Sequence, residues 1–377
     1  MMGQHDGYFL YHSIGQFPQK AKLLNQAFSE FSEIWSGAGD AQWPRSENLQ
    51  ETYLKKWEEL INAPPETIIH TESVTSAVHA LITSLPSEVL KGKRVVAPAD
   101  SFPSILFLLQ GLEERYGYNL DIVPIAEHSH WVECDDISSA LGDDVGLLML
   151  NWVSSTSSHK TNIARLASEA RAHGAIVGLD ATQGVGILPF DVQTLELDFV
   201  ATTSLKWVCG IPGAGILYVD TNLTQRCFPE RRGWFSQENP FNWDIYKFKY
   251  ADDVRRFQLS TPSVLGCVGT LPALDWLFKG GAELMRNQNL KITTDIIEIA
   301  DEIGIELCTP REEKLRGGSV MLKLPAHVEP TQFITTLREK NIFADARGNI
   351  LRLSPGVLTN ATTLVVLRDC LAAALHP

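Results

Sequence analysis

GAIVGLD at 174–180 and, one apolar run later, TTSLKWVCGIPGAG at 202–215 decide how this chain folds. The first stretch is a short β-branched run closed by Asp180. The second places Lys206 just beyond another such run, FVATT at 199–203. Runs of this length, filled with Val, Ile and Leu and bounded by turn residues, read as buried strands. Asp180 then projects from the carboxyl end of its strand, where a carboxylate is costly unless a cation or a full set of hydrogen bonds meets it. Lys206 lies 26 residues further on, past the end of the next strand.

Outward from this pair, further strands are predicted at 94–99, 121–125, 146–153 and 215–219. Helical spacing of apolar residues marks 73–83, 104–114 and 162–173 between them. Such alternation predicts a largely parallel sheet covered on both faces from about 65 to 260, with ligands at the carboxyl ends of its strands. After Pro262 the pattern changes. Two long helices (264–278 and 282–303) are followed by a strand (319–324), a helix (330–340), a strand (350–354) and a final apolar helix (361–375). The expected division is a large domain over 46–262 and a small α+β domain over 263–377, with residues 1–45 packing against the small one.

The bulk numbers restrict the function. A net charge of -13 over 377 residues argues against a nucleic-acid partner, which wants a basic face. No apolar run reaches the ~18 residues that suggest a membrane helix, and MMGQHDGYFLYHS at the N-terminus does not read as a secretory leader. Six scattered cysteines form no C-x-x-C and no disulfide framework, which points to a reducing, cytoplasmic setting. No metal-ligand spacing appears among the ten histidines, so no metal is expected. No G-x-G-x-x-G follows the first strand, and GIPGAG at 210–215 has the wrong spacing for a dinucleotide fold.

What the pair Asp180 and Lys206 does fit is a pyridine cofactor. A carboxylate keeps a ring nitrogen protonated, which makes the ring an electron sink. A desolvated lysine is a nucleophile toward an aldehyde. Pyridoxal 5'-phosphate (PLP) carries both groups, with Lys206 as its Schiff-base lysine.

DATQGVG at 180–186 followed by TTSLKWVCGIPGAG resembles the class V aminotransferase group of PLP enzymes, and kynureninases in particular. The likeness continues through YFLYHSIGQFP at 8–18, SVTSAVHAL at 73–81, SFPS at 101–104, RRGWFSQENPF at 231–241, RRFQLSTPSVLG at 255–266, TPREEKLRGG at 309–318 and ILRLSPG at 350–356. It implies an aspartate aminotransferase-like α/β fold: a large domain with a mostly parallel seven-stranded sheet, plus a small C-terminal α+β domain. It also implies a homodimer with shared active sites. For the site, it implies Lys206 and Asp180 as catalytic and Phe102 stacked on the pyridine ring. Val74 and Thr75 would meet the phosphate at a helix N-terminus, with Thr203 and Ser204 nearby. Gln183 and Ser154 or Ser155 would bond the phenolic oxygen. Trp234 and Thr261 would reach the phosphate of the partner subunit. Arg352 would fork onto the substrate α-carboxylate. The implied activity is kynureninase-like C–C hydrolysis or lysis of an α-amino acid. Transamination, or a cysteine desulfurase or β-elimination lyase reaction, is the alternative, and a non-catalytic PLP-fold binding module is the reading from another class.

Several positions depart from the kynureninase pattern. Leu205 stands where a tyrosine precedes the lysine, Ile105 where an aspartate follows F-P-S, Gln183 in place of histidine and Thr261 in place of asparagine. These changes fall on substrate and phosphate contacts, so the cofactor carries over better than the substrate. A desulfurase would need a mobile nucleophilic cysteine. Cys308 in IELCTPR is the nearest candidate and reads as core packing.

Overall fold

The structure is a computed structural model that describes residues 6–375; residues 1–5, where the stretch read for a leader begins, lie outside the described residues. Helices α1 (Lys20–Trp35) and α2 (Gln42–Ile61) come first. The main sheet and its covering helices follow as β1 (Ile68–Thr71), α3 (Val74–Ile82), α4 (Ser87–Leu90), β2 (Arg94–Pro98), α5 (Pro103–Tyr116) and β3 (Asn119–Val123). They continue as α6 (Cys134–Ser139), β4 (Val145–Asn151), α7 (Ile163–Ala172), β5 (Ile176–Asp180), β6 (Phe199–Thr203), β7 (Gly215–Val219) and α8 (Thr221–Arg226). Beyond them lie α9 (Leu265–Trp276), α10 (Ala282–Ile303), β8 (Glu306–Leu307), β9 (Val320–Lys323), α11 (Pro330–Glu339), β10 (Asp345–Arg347), β11 (Ile350–Leu353) and α12 (Thr363–Leu375).

The large sheet has seven strands in the order β1-β7-β6-β5-β4-β2-β3. Strands β2 to β6 pair in parallel, and β7 runs antiparallel to both β6 and β1. The mostly parallel seven-stranded sheet expected from the sequence is therefore present. Strands β4, β6 and β7 are buried along their whole length, as strands covered on both faces must be. The strand order reverses between β2 and β4: β3 lies outside β2, whereas β5 lies on the far side of β4. A crevice opens at such a switch point beyond the carboxyl ends of the strands.

The second sheet, β10-β11-β9-β8, is antiparallel and has its own apolar core with Phe9, Ile292, Ile296, Leu322, Leu351 and Leu367. The opening segment is shared between the two cores. Tyr8 and Leu10 bridge to Phe343 and Ser354, whereas Phe17 packs with Tyr53, Trp57 and Trp207 in the main core. Helix α9 contributes Cys267, Ala273 and Leu274 to that main core, against which α1 and α2 also pack.

Several elements escape the sequence reading, and for some the reason is plain. Strand β1 is four residues of edge strand, IIHT, too short to show a period. Helix α1 has no fully buried residue, so its apolar stripe is shallow. Strands β8 and β10 have two and three residues. All six cysteines are free thiols. No described helix is long and apolar enough to cross a membrane.

Candidate active site

The crevice at the switch point holds a small recess lined by Phe102, Asn151, Val153, Ser155, Asp180, Thr182, Gln183 and Lys206. Each arrives from a strand end: Asn151 closes β4, Asp180 closes β5, and Lys206 follows β6. The register places Asn151 beside Asp180 on the neighbouring strand. Phe102 comes from the turn after β2, fixed by Pro103 in the first turn of α5.

Lys206 Nζ lies 5.2 Å from the centre of the Phe102 ring. Burial is the main cause that pushes its pKa down to about 8; Asp180 pulls it up, and Arg352 and Arg347 push it further down. The amine is therefore neutral in an appreciable fraction of molecules near neutral pH. Asp180 accepts a hydrogen bond at 2.9 Å from the Thr182 amide and makes no ion pair among the described residues. Asn151 Nδ2 and Thr182 Oγ1 are buried without any hydrogen-bond partner. An unmet buried polar group costs about 1–3 kcal/mol, so two of them facing one recess mark a place built for a polar guest.

The lysine loop is held from behind. Gly15 donates to the Leu205 carbonyl at 2.8 Å, and a Cβ at Gly15 would stand 1.8 Å from the Lys206 carbonyl oxygen, so only glycine lets the two backbones meet. Lys20 Nζ bonds the Gly15 and Gly210 carbonyls. Trp207 stacks on Tyr11 and donates to Gln183 Oε1, while Gln183 Nε2 bonds the His12 carbonyl. Gln183 thus lines the recess with both ends of its amide engaged.

The remaining expected residues spread around this centre. Val74 and Thr75 form the first turn of α3, capped by Ser73, so their amides have no partner within the helix. Thr203 ends β6, and Ser204 is buried with its hydroxyl committed to the Ala214 carbonyl and Thr270. Ser154 bonds Thr156, and Ser155 lines the recess. Trp234 sits outside it, in an aromatic cluster with Phe235, Phe241 and Trp243. Thr261 is exposed and shares a surface pocket with Ser76 and Arg231.

Arg352 is 8% exposed, and Nε donates to Asp345 at 2.8 Å while Nη2 closes a second bond to the same carboxylate. Its Nη1 reaches the Ser155 carbonyl at 3.4 Å. Despite burial, hydrogen bonds from His12 and Arg352 hold Asp345 well below the usual carboxylate range. Asn151, Thr182, Asp345 and Arg347 escape the sequence reading. The first two sit at strand ends like Asp180, a positional signal available in the sequence; the last two follow from a hairpin too short to show.

Elsewhere, His130, Glu306 and Cys308 bring possible metal-ligand atoms within 4.8 Å of one another, a grouping that sequence spacing did not reveal. Glu306 is already paired with Lys323, and the Cys308 thiol is buried and outside the recess.

The recess fits a planar, charged guest: an aromatic face, an unpaired carboxylate, a partly neutral amine and two unmet polar groups. Comparison with known proteins agrees. The Aminotransferase class-V family pattern matches residues 19–351. A kynureninase of Bacillus thuringiensis subsp. konkukian is 27% identical over 355 residues, 90% of this chain and 82% of that one. Among solved structures, the apo cysteine desulfurase of Thermococcus onnurineus NA1 superposes with a TM-score of 0.84 at 20% identity, over 97% of this chain and 94% of that chain. A cystine C-S lyase in complex with its product cysteine persulfide gives a TM-score of 0.86 at 20% identity, over 97% of both chains. At these identities the structural likeness speaks for the fold.

Proposed function

The chain belongs to the class V aminotransferase family, and from that premise we propose a kynureninase-like enzyme that uses PLP to cleave a C–C bond of an α-amino acid. The observation that carries this reading is the placement of Lys206 Nζ, depressed in pKa, over Phe102 and beside the unpaired Asp180 carboxylate.

PLP, when bound, supplies an aldehyde that condenses with amines and a ring that accepts electrons from a bond being broken. Phe102 would take the flat face of that ring. Asp180 would hold its nitrogen, stabilising positive charge there electrostatically. Ser155 and Gln183 would hold the phenolic oxygen, and the unmet Asn151 amide is a further donor at the same wall. Ser154 stands behind Ser155. Val74, Thr75 and Thr203 would hold the phosphate, through amides and hydroxyls at a helix start. Ser204, with its hydroxyl already spent, would fix the loop that carries the lysine. Lys206 would remove and return the proton at the substrate Cα as general base and acid, a role suited to an amine with a pKa near 8. The Phe102–Asp180 walls would exclude water from that proton.

We also propose a homodimer. Trp234 and Thr261 lie away from this chain's own recess, and Phe241, Trp243, Ile245 and Tyr246 on the same loop are between 67% and 89% exposed. A second copy covering this strip would bury it and bring both residues toward the neighbouring recess. Sedimentation should find twice the chain mass, and a monomer would refute this part.

The test of function uses the purified chain with added PLP. A visible absorbance band should form and Lys206→Ala should prevent it. L-Kynurenine should then release alanine, the three-carbon amino acid that cleavage between Cβ and Cγ leaves. A chain that stays colourless with PLP sinks the assignment. A coloured chain that yields an amino-group exchange or a β-elimination product instead keeps the family and replaces the reaction.

A further inference from the structure

Away from the recess, His130, Glu306 and Cys308 bring a ring nitrogen, a carboxylate oxygen and a thiol sulfur within 4.8 Å of one another. His130 comes from the loop between β3 and α6, whereas Glu306 and Cys308 come from the edge of the second sheet. Each is held by its own surroundings. Ser129 Oγ donates to the Trp131 carbonyl at 2.8 Å, and the Trp131 ring stacks on buried His159 at 5.1 Å, so the residues on both sides of His130 are fixed. Glu306 faces Lys323 in the β8–β9 ladder, and the Cys308 amide extends that ladder by donating to the Met321 carbonyl at 2.8 Å. Residues two apart on a strand share a face, so Glu306 and Cys308 point the same way, while Leu307 between them packs against the core of the second sheet. Cys308 is 1% exposed and yet, among the described residues, joins none of the apolar clusters. Its thiol is therefore not the core packing that the sequence suggests: it faces a histidine and a carboxylate.

The spacing suits a small ion. His130 Nε2 and Glu306 Oε1 are 3.3 Å apart, close to the ~3.4 Å between two ligands that each lie ~2.1 Å from one tetrahedral ion. A movement of ~1 Å brings the sulfur to a matching distance. Thiolate and imidazole select Zn2+ over Mg2+ and Ca2+, which take oxygen ligands. Three protein ligands leave a fourth position for water. Lys323 is the competitor, with Nζ 3.1 Å from one Glu306 oxygen and 3.0 Å from the other. Its side chain is 43% exposed. Surface pairs of this kind hold weakly, so the ammonium can swing into water when a doubly charged ion arrives.

We propose that His130, Glu306 and Cys308 form a binding site for a divalent cation of the Zn2+ class, which ties the β3–α6 loop to the edge of the second sheet. On binding, the ion takes the place of the thiol proton, which leaves to solvent, and Glu306 exchanges Lys323 for the ion. The site is separate from Lys206 and needs no PLP. Its effect is one of positioning. The loop belongs to the large sheet that carries Asp180, and β8 belongs to the sheet that carries Arg352. An ion held by both fixes how closely the two sheets approach.

The test titrates the purified chain, with PLP bound or without it, with Co2+ and Zn2+. Co2+ should bind once per chain and add a sulfur-to-metal band in the near ultraviolet to the difference spectrum, and Zn2+ should remove that band by displacement. Cys308→Ser should abolish it. His130→Ala changes a loop side chain that is 33% exposed and should leave the fold in place. It should weaken Zn2+ by at least ~10- to 100-fold, the cost of losing even a group that supports a metal ligand. Lys323→Gln should tighten Zn2+ by ~2- to 5-fold, because the competing ion pair is gone. Saturating Zn2+ should raise the melting temperature of the parent chain, and equal concentrations of Mg2+ or Ca2+ should not. Co2+ bound without a sulfur band, a band that survives Cys308→Ser, or Zn2+ affinity unchanged in His130→Ala overturns the proposal. If Cys308→Ser does not fold, the His130→Ala titration decides.

Discussion

The wall formed by β5 and β6 and the hairpin β10–β11 face the same recess and hold their charges in opposite ways. Asp180 closes a buried strand and Lys206 follows the neighbouring one on a loop braced by the Gly15 backbone, and neither is consumed by an ion pair among the described residues. Asp345, Arg347 and Arg352 stand on a two-stranded hairpin whose charges neutralise one another, so that one arginine is spent and one is left. A charge held by backbone pairing stays available for chemistry. A charge held by another side chain is available only when that partner lets go.

The largest effect is expected from the rigid wall. Asp180→Asn removes the charge and keeps the shape, and kcat/KM for the preferred amino acid should fall about 10²- to 10³-fold, as for loss of one electrostatic contact in a buried site. A fall of less than about fivefold would mean that the carboxylate is structural after all.

Lys206 should reveal a cost of the same wall. Burial moves its pKa from 10.5 to about 8, so the folded chain without PLP disfavours the protonated amine relative to the unfolded chain. The penalty is full below pH 8, shrinks as pH rises toward 10.5, and is gone above it. Lys206→Met should therefore stabilise the PLP-free chain by up to about 3 kcal/mol at pH 7, and denaturant midpoints should converge at high pH. A variant less stable than its parent at pH 7 would break the contrast between wall and hairpin.

The hairpin should respond in the reverse sense. Asp345→Asn leaves Arg352 facing a neutral amide, and the loss should be about 2 kcal/mol; Asp345 is 35% exposed, which tempers the 3–5 kcal/mol typical of a broken buried pair. Arg347→Gln should change stability by less than about 0.5 kcal/mol, the range for substitutions that break no buried contact. The smallest signature is kinetic. PLP uptake by the empty chain needs the neutral amine, so its rate should climb with pH through about 8 and then level off, and Arg347→Gln should move that midpoint upward by removing a nearby positive charge. A midpoint that stays fixed would place Arg347 too far from Lys206 to matter.

The same contrast explains what the sequence revealed. Strand ends carry a positional code: an apolar run closed by Asp180, another closed just before Lys206. The parallel sheet, the Phe102 turn and the lysine loop follow from such runs. Asn151 and Thr182 occupy equivalent strand-end positions, yet uncharged residues there draw no notice until their lack of partners is seen. The hairpin has no such code. In ADARGNILRL an arginine on a strand is conspicuous, and Arg352 reads as the carboxylate ligand by resemblance, but whether it is already taken by Asp345 depends on register across a two-residue turn. Trp234 and Thr261 are illegible for a further reason, since their place depends on a second chain.

The strap of residues 8–15 has a bearing on how the protein is made. It leaves the ribosome long before its docking partners, Phe343 and Ser354, and His12 and Ser354 are 342 residues apart. Contacts of such separation form late, after long loops have closed. Gly15 cannot brace the Lys206 loop until that moment. A nascent chain therefore completes its sheet, with Asp180 already in position, well before its lysine is secured, and a chain halted short of the hairpin would carry the reactive amine on an unsupported loop.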